Sequence, residues 1–425
     1  MTIQEDNRQE INIQATGVYV HIPFCRKKCL YCDFSSGGGR NTDWQRFAES
    51  LVRELKERKG ELADIPSTLY IGGGTPSLMP EEQFSFLVEE ICRVTGKTDP
   101  WDEFTIEVNP EDVTPDSCRM WLGCGVNRVS MGVQTLNDNE LKRIGRNHDS
   151  ATALSAIEIL RKNFENFTID LIFGLPEQTT ESWSDTVERI IAVKPPHISA
   201  YSLMFEEGTA LTLLREQGRL SFPTEEECVE MWQYLQRRLN DEGYVQYELS
   251  NYSLPGRESL HNRRYWLGNP YLGIGPSAHS YDGKRVRRAN KNDIKGYMAF
   301  FGKDADLSDQ GHSESSVNSD GDAGDEFDEN SHKDGSIAGS GTFYIEETLS
   351  QEELKEEMIM LSMRMKSGLD LDRFRCKFGE EAFERLMTNS KGLLKERRLV
   401  IAEGMLRLTT ENMMVADDII LELCM

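Results

Sequence analysis

Short runs rich in β-branched and aromatic residues punctuate the first 250 positions: VYVHI, TLYIGG, FTIEVN, RVSMGV, FTIDLIF and HISAYSL. Between them lie segments with helical patterning, among them TDWQRFAESLVRELKERK and PEEQFSFLVEEICRV. This alternation predicts a βα repeat built around a parallel sheet. A further run, YVQYELS, is a candidate additional strand. In such folds ligands gather at the carboxyl ends of the strands, where the βα loops converge. Every predicted strand here runs into distinctive chemistry. The first enters a cysteine loop, the second GGGTP, the third EVNP with Glu107, and the fourth GVQ with Gln134. The fifth carries Asp170 before GLP, and the sixth reaches Ala200 and Tyr201. Six loops are therefore expected on one face.

The pattern changes after residue 340. TLSQEELKEEMIMLSMRMKSGLDLDRFRCKFG opens a helical region, RRLVIAEGMLRLT reads as a β-hairpin, and ENMMVADDIILELCM reads as a last helix. Together they predict a small winged-helix-like domain. Its methionines Met358, Met360, Met363 and Met365 are taken as packing, the commonest use of that side chain.

The net charge of -24 is unevenly placed. Residues 304 to 339 hold eleven acids against one lysine, about ten of the net negative charges. This stretch has too little apolar surface to offset its ordering entropy, so disorder is expected. DGDAGD within it fails as a calcium loop, because Asp325 stands where the sixth-position glycine belongs. The acidic balance argues against nucleic acid as a partner. The start, MTIQEDNRQEIN, has neither a basic n-region nor an apolar h-region. A cytoplasmic location is expected.

Nine cysteines in a reducing compartment do not suggest a disulfide framework. Only Cys25, Cys29 and Cys32 cluster, as CxxxCxxC within GVYVHIPFCRKKCLYCDFSS. Arg26, Lys27 and Lys28 between them favour thiolates. Zinc held by three cysteines and a histidine, in an interaction module, is one reading, although paired knuckles are absent. The other is a cubane iron-sulfur cluster with one iron left open to an exchangeable ligand. The glycines of GGGTP alone would suggest a tight turn, and Asp170 a strand-end cap.

CxxxCxxC on a βα barrel resembles the radical S-adenosylmethionine superfamily. More narrowly, VYVHIPFC, YIGGGTPS, EVNP, GVNRVSMGVQT, RIGRNH, DLIFGLPEQT, HISAYSL and SNYSLPGRESLHNRRYW are similar to the oxygen-independent coproporphyrinogen III oxidase family. The likeness spans about 16 to 300 and resumes near 343. It implies a partial (β/α)6 TIM-like barrel at 16–255 after a tail at 1–15, and a connection at 256–302. The acidic insert at 303–342 and the C-terminal domain at 343–425 would complete the chain.

The resemblance also implies cofactors and roles. Cys25, Cys29 and Cys32 would hold a 4Fe-4S cluster whose open iron takes S-adenosyl-L-methionine. Tyr19, Gly73 and Glu107 match positions around that cofactor. Gly74, Thr75, Gln134, Arg146, Asp170 and Ala200 match positions that hold a second molecule of it in the oxidase branch. Reductive cleavage of the sulfonium would give a 5'-deoxyadenosyl radical, with an electron donor such as flavodoxin or ferredoxin.

The oxidase pattern continues to a fourth cysteine, CxxxCxxCxC, where this chain has Phe34. The short segment before Cys25 and the motif HNRRYW at 261–266 instead match a sister branch of heme chaperones. There the motif is tied to heme, which implies His261 as an axial ligand and Tyr265 and Trp266 as walls. His148 and His279 are weaker alternatives, and GKRVRRANK at 283–291 offers cations for propionates. The implied partners are heme, heme-acceptor proteins such as membrane respiratory enzymes, and a second copy of the chain. The competing reading is an enzyme, coproporphyrinogen III dehydrogenase.

Overall fold

The computed structural model describes residues 15–33, 37–38, 42–302 and 342–425. Phe34 and the acidic stretch 304–339 lie outside the described residues. All six predicted strands form: β1 Gly17–Ile22, β2 Thr68–Gly73, β3 Glu103–Val108, β4 Arg128–Gln134, β5 Phe167–Phe173 and β6 His197–Ser202. Each pairs in parallel with the next, from Gly17 opposite Thr68 through to Phe173 opposite Ser202. Helices lie between them in sequence, as a partial βα barrel requires.

Period-two alternation decides what faces where. Leu69, Ile71, Phe104, Ile106, Val129, Met131, Ile169, Leu171 and Ile198 point outward into the main apolar core under the helices. The residues between them, including Glu107, Ser130, Thr168, Asp170 and Ser199, point inward and are polar. A barrel with a polar lumen is unusual, because small barrels fill that space with branched apolar side chains. Here the lumen is a chamber.

The helices start where local chemistry says they should. Thr179 and Ser182 form a reciprocal capping box at the head of the helix Thr180–Val193, and Thr224 with Glu227 does the same for Glu225–Asp241. The helix Trp44–Arg58 buries Phe47, Leu51 and Leu55 along one stripe.

The sheet does not stop at six strands; it has twelve. On the open side of β1, Tyr271–Ile274 adds in parallel, followed by antiparallel His279–Tyr281, Val286–Asn290 and Tyr344–Thr348. Beyond β6, Asn251–Ser253 and Val245–Gln246 add antiparallel. The stretch expected to be a connection, 256–302, therefore contributes three strands to the barrel's sheet. A buried network fixes them to the first helix. Glu54 accepts the Tyr297 hydroxyl at 2.7 Å, the Asn290 amide at 2.7 Å and the Gly275 N–H at 2.8 Å, and pairs with Arg58 at 2.8 Å. A buried carboxylate needs such full satisfaction.

The C-terminal domain contains the helices Gln351–Met363, Leu371–Lys395 and Ala416–Cys424 and a three-stranded sheet. Its strands are Leu369–Asp370, Met405–Leu408 and Leu399–Ala402. The second helix breaks at Gly379, which has φ 87° and ψ 174°. Ile359, Met363, Phe374, Leu386, Leu406 and Ile419 form its separate core. Contact with the barrel runs through a β-bridge between Glu248 and Met365 and through the Leu249 N–H to the Arg364 carbonyl at 3.1 Å.

Candidate functional site

The predicted cysteine loop follows β1 directly and is held from two sides. The Leu30 N–H donates to the Ile144 carbonyl at 3.1 Å, and the Leu30 carbonyl accepts the Leu211 N–H at 2.8 Å. Cys25, Cys29 and Cys32 are half-buried thiols at a cavity of about 430 Å³ over the carboxyl ends of the strands. Thr75 Oγ1 donates to Cys25 Sγ at 3.5 Å, and Arg146 Nη1 donates to Cys29 Sγ at 3.6 Å. Arg146 is further held by Asn109 Oδ1 at 2.8 Å and by the Gly132 carbonyl. Lys27 and Lys28 line the same cavity, whereas Arg26 pairs with Asp112. The rim of the cavity at the thiols is therefore cationic.

Gly73 and Gly74 line the cavity at the end of β2, and neither tolerates a side chain. Gly73 has φ 112°, and a Cβ there would lie 2.5 Å from the His21 ring. A Cβ on Gly74 would lie 2.7 Å from the Phe24 carbonyl oxygen. The backbone beside the thiols is therefore bare by necessity, which lets a ligand approach it closely. Gln134, at φ 69°, sits in a register shift of β4 that turns its side chain to the cavity.

Two carboxyls lie deeper. Glu107 accepts the Tyr70 hydroxyl at 2.7 Å and the Gly73 N–H at 2.9 Å. Burial nevertheless pushes it up to about 7, because these bonds only partly offset lost hydration. Asp170 accepts the Ser130 hydroxyl at 2.8 Å and is also raised by burial. The chamber thus has a cationic, thiol-bearing rim and an acidic interior. That arrangement suits a ligand carrying both charges and hydroxyls.

Of the predicted cofactor residues, Gly73, Gly74, Thr75, Glu107, Gln134, Arg146 and Asp170 share this cavity with the three cysteines. Tyr19 and Ala200 are not on its wall. Tyr19 turns to His21, with its hydroxyl 2.9 Å from Nδ1, and Ala200 belongs to the outer core. Alternation gives the neighbouring places to Ser199 and Tyr201. Tyr70, Asn109, Arg128, Ser130 and Asn262 also line the cavity and had not been singled out.

The helix Leu260–Trp266 carries the HNRRYW motif and plugs the opposite, amino-terminal mouth of the barrel. Glu103, the first residue of β3, accepts the N–H of Leu260 at 2.7 Å and of His261 at 2.9 Å. Arg264 is buried and donates to Ser67 Oγ at 2.7 Å. His261 is 0% exposed. Its Nδ1 bonds to Thr68 Oγ1 and its Nε2 to the Tyr265 hydroxyl, both at 2.8 Å. Burial, followed by the charge of Arg264, takes the imidazole down to about 3, so it is neutral. Both ring nitrogens are thus engaged inside the protein, and an axial bond to heme would require breaking one of these contacts. His148 is buried against the Val133 carbonyl, and His279 is exposed. In the basic run, Arg287 pairs with Glu357, and Arg288 with Glu61 and Glu346. Trp266 faces away from the chamber, into a separate crevice against the C-terminal domain.

A partial parallel barrel with a three-cysteine loop over a glycine-bare chamber defines the radical SAM class. The family model of that superfamily matches residues 19–190, and a model described as the HemN C-terminal domain matches 349–415. The chain is 33% identical over 390 residues to the heme chaperone HemW of Lactococcus lactis, covering 90% of this chain and 92% of that one. It is 31% identical over 406 residues to the heme chaperone HemW of Bacillus subtilis, covering 94% and 97%. The chain belongs to the HemW family. The solved coproporphyrinogen III oxidase (HemN) of Escherichia coli superposes with a TM-score of 0.75, at 21% identity and covering 97% and 91% of the two chains, a likeness of fold. The superfamily implies a 4Fe-4S cluster and S-adenosylmethionine. Among the described residues no three His, Cys, Asp or Glu side chains converge on a single metal ion. Among the described residues no helix is long and apolar enough to cross a membrane.

Proposed function

We propose that this protein binds heme and hands it to acceptor proteins, and that it carries a 4Fe-4S cluster on Cys25, Cys29 and Cys32 with S-adenosylmethionine on the open iron. The observation that carries the reading is the nearly end-to-end match to proteins named heme chaperones. The site supports the cofactor half of it. The three thiols would hold the cluster, with Arg146 and Thr75 donating to Cys29 and Cys25. When bound, such a cluster supplies a low-potential electron to the sulfonium. Gly73 and Gly74 leave backbone open to the cofactor, and Glu107, oriented by Tyr70 and the Gly73 N–H, faces it as an acceptor for hydroxyls or an ammonium group. Gln134 and Asp170 line the remaining wall. The protein would act in the cytoplasm, drawing electrons from a small redox protein and serving respiratory acceptors.

Anaerobically reconstituted protein tests this directly. Iron and sulfide should be present, heme should bind, and coproporphyrinogen should persist with reductant and S-adenosylmethionine. Decarboxylation at an enzymatic rate without heme binding would overturn the reading in favour of the oxidase.

A further inference from the structure

The crevice on the far side of the motif helix holds a set of side chains that the radical SAM chamber does not use. It has a volume of about 250 Å³ and lies between the carboxyl end of the helix Leu260–Trp266 and the C-terminal domain. Met358, Met365 and Met405 all line it, from the helix Gln351–Met363, the bridged turn that follows it and the hairpin. The methionine-rich stretch therefore divides by role. Met363 is fully buried in the domain core and Met360 is exposed, whereas Met358 and Met365 turn to the crevice.

The other walls complete a recognisable chemistry. Trp266 and the largely buried Tyr281 line it, the first with Arg364 5.6 Å over its ring and the second with Arg287 5.1 Å over its ring. The Trp266 indole N–H is buried with no hydrogen-bond partner among the described residues, an unmet donor beside the crevice. Arg373 and Lys377, one turn apart on the helix Leu371–Lys395, are exposed cations at its edge. The two acids present are engaged: Glu357 pairs with Arg287, and Asp370 caps the helix by accepting the Arg373 N–H at 2.9 Å. Soft thioethers, aromatic walls and paired cations match a planar iron porphyrin with two carboxylates. Ligand pockets that enclose their guest run to roughly 300–1,000 Å³. A smaller crevice grips one edge and leaves the rest accessible, which suits a cargo that must be passed on.

We propose that heme seats in this crevice, its iron facing the thioethers of Met358, Met365 and Met405 and its propionates facing Arg373 and Lys377. His261 then serves as an anchor of the motif helix, and Trp266 is the part of the motif that meets cargo. The assignment rests on the heme-binding reading above.

The test titrates the full chain with ferrous heme and with iron-free protoporphyrin, read by absorbance and tryptophan quenching. Met358→Leu/Met365→Leu/Met405→Leu keeps the side-chain volume. It should shift the heme Soret band and weaken ferrous heme about tenfold, a loss of one axial bond's margin, while protoporphyrin binds as before. Arg373→Glu/Lys377→Glu, at exposed positions, should weaken both porphyrins by about tenfold or more. If the unaltered protein binds heme and both variants keep its spectrum and affinity, the crevice assignment falls while the chaperone reading stands. If the unaltered protein binds no heme, both fall.

Discussion

Glu103 accepts the backbone N–H of His261 at 2.9 Å, so the first residue of a barrel strand holds the second residue of the motif helix. The same carboxylate takes the Leu260 N–H and the Ser259 hydroxyl. Glu103→Ala should therefore release three donors at once. A loss of about 2–4 kcal/mol is expected, more than one buried bond is worth, and thermal unfolding measures it. His261→Ala should likewise lower the melting temperature, leaving Thr68 and Tyr265 without their shared partner, while the spectrum of bound heme stays unchanged.

Replacing Cys25, Cys29 or Cys32 singly with Ala should abolish the iron and sulfide of reconstituted protein. Cys92, Cys118, Cys124, Cys228, Cys376 and Cys424 should be dispensable for it. Cys118 belongs to the main core, and Cys424 packs against the C-terminal core. Full iron content in Cys29→Ala would contradict the assignment.

Gly74→Ala places a methyl group 2.7 Å from a backbone oxygen, which cannot swing away as a side chain can. Gly73→Ala adds the strain of φ 112°. Each should cost on the order of 2 kcal/mol or more in stability and should weaken S-adenosylmethionine binding, measured by calorimetry on anaerobic protein.

Burial raises Glu107 and Glu248 to about 7 in the folded chain. Folding therefore favours their protonated forms. That contribution is fully present below their ordinary value near 4.5 and is lost as pH rises to about 7. The unliganded protein should lose stability over this window, and Glu107→Gln should flatten the dependence. Denaturant titrations from pH 5 to pH 8 would show a steeper curve for the unaltered chain, and parallel curves would refute the assignment.

Excision of 304–339 should leave heme binding and cluster content unchanged. The Phe301 and Phe343 rings lie 6.1 Å apart, and the Lys291 N–H donates to the Phe343 carbonyl at 3.0 Å, so the flanks are already held together. A short linker closes the gap at small entropic cost. Loss of either ligand would show that the segment has a direct role.

The six barrel strands were legible because each is a compact β-rich run, four of them closed by Gly, Pro or Asn. The strands between 271 and 290 were not. They are three to five residues long, and one is arginine-rich, so pairing in the finished sheet rather than local preference defines them. In the site, the cysteines, Glu107, Gln134 and Asp170 stood out as strand-end chemistry, and Arg146 only through the family resemblance. Tyr70, Ser130 and Ser199 did not, although the polar alternation in TLYIGG, RVSMGVQ and HISAYS marks them as facing the lumen. The role of His261 was hidden for another reason: its partner Thr68 lies 193 residues away in the chain. A histidine in a motif looks the same whether it meets a ligand or a threonine.

Asn262 lines the radical SAM chamber, and Trp266, one turn further along the same helix, lines the methionine crevice. The two compartments are thus divided by a single seven-residue partition. Binding on its two sides obeys thermodynamic reciprocity: whatever factor a chamber ligand applies to affinity in the crevice, a crevice ligand returns to the chamber. Any such factor between a cargo on one face and a nucleoside cofactor on the other acts across about 6 Å of helix, the rise of four residues.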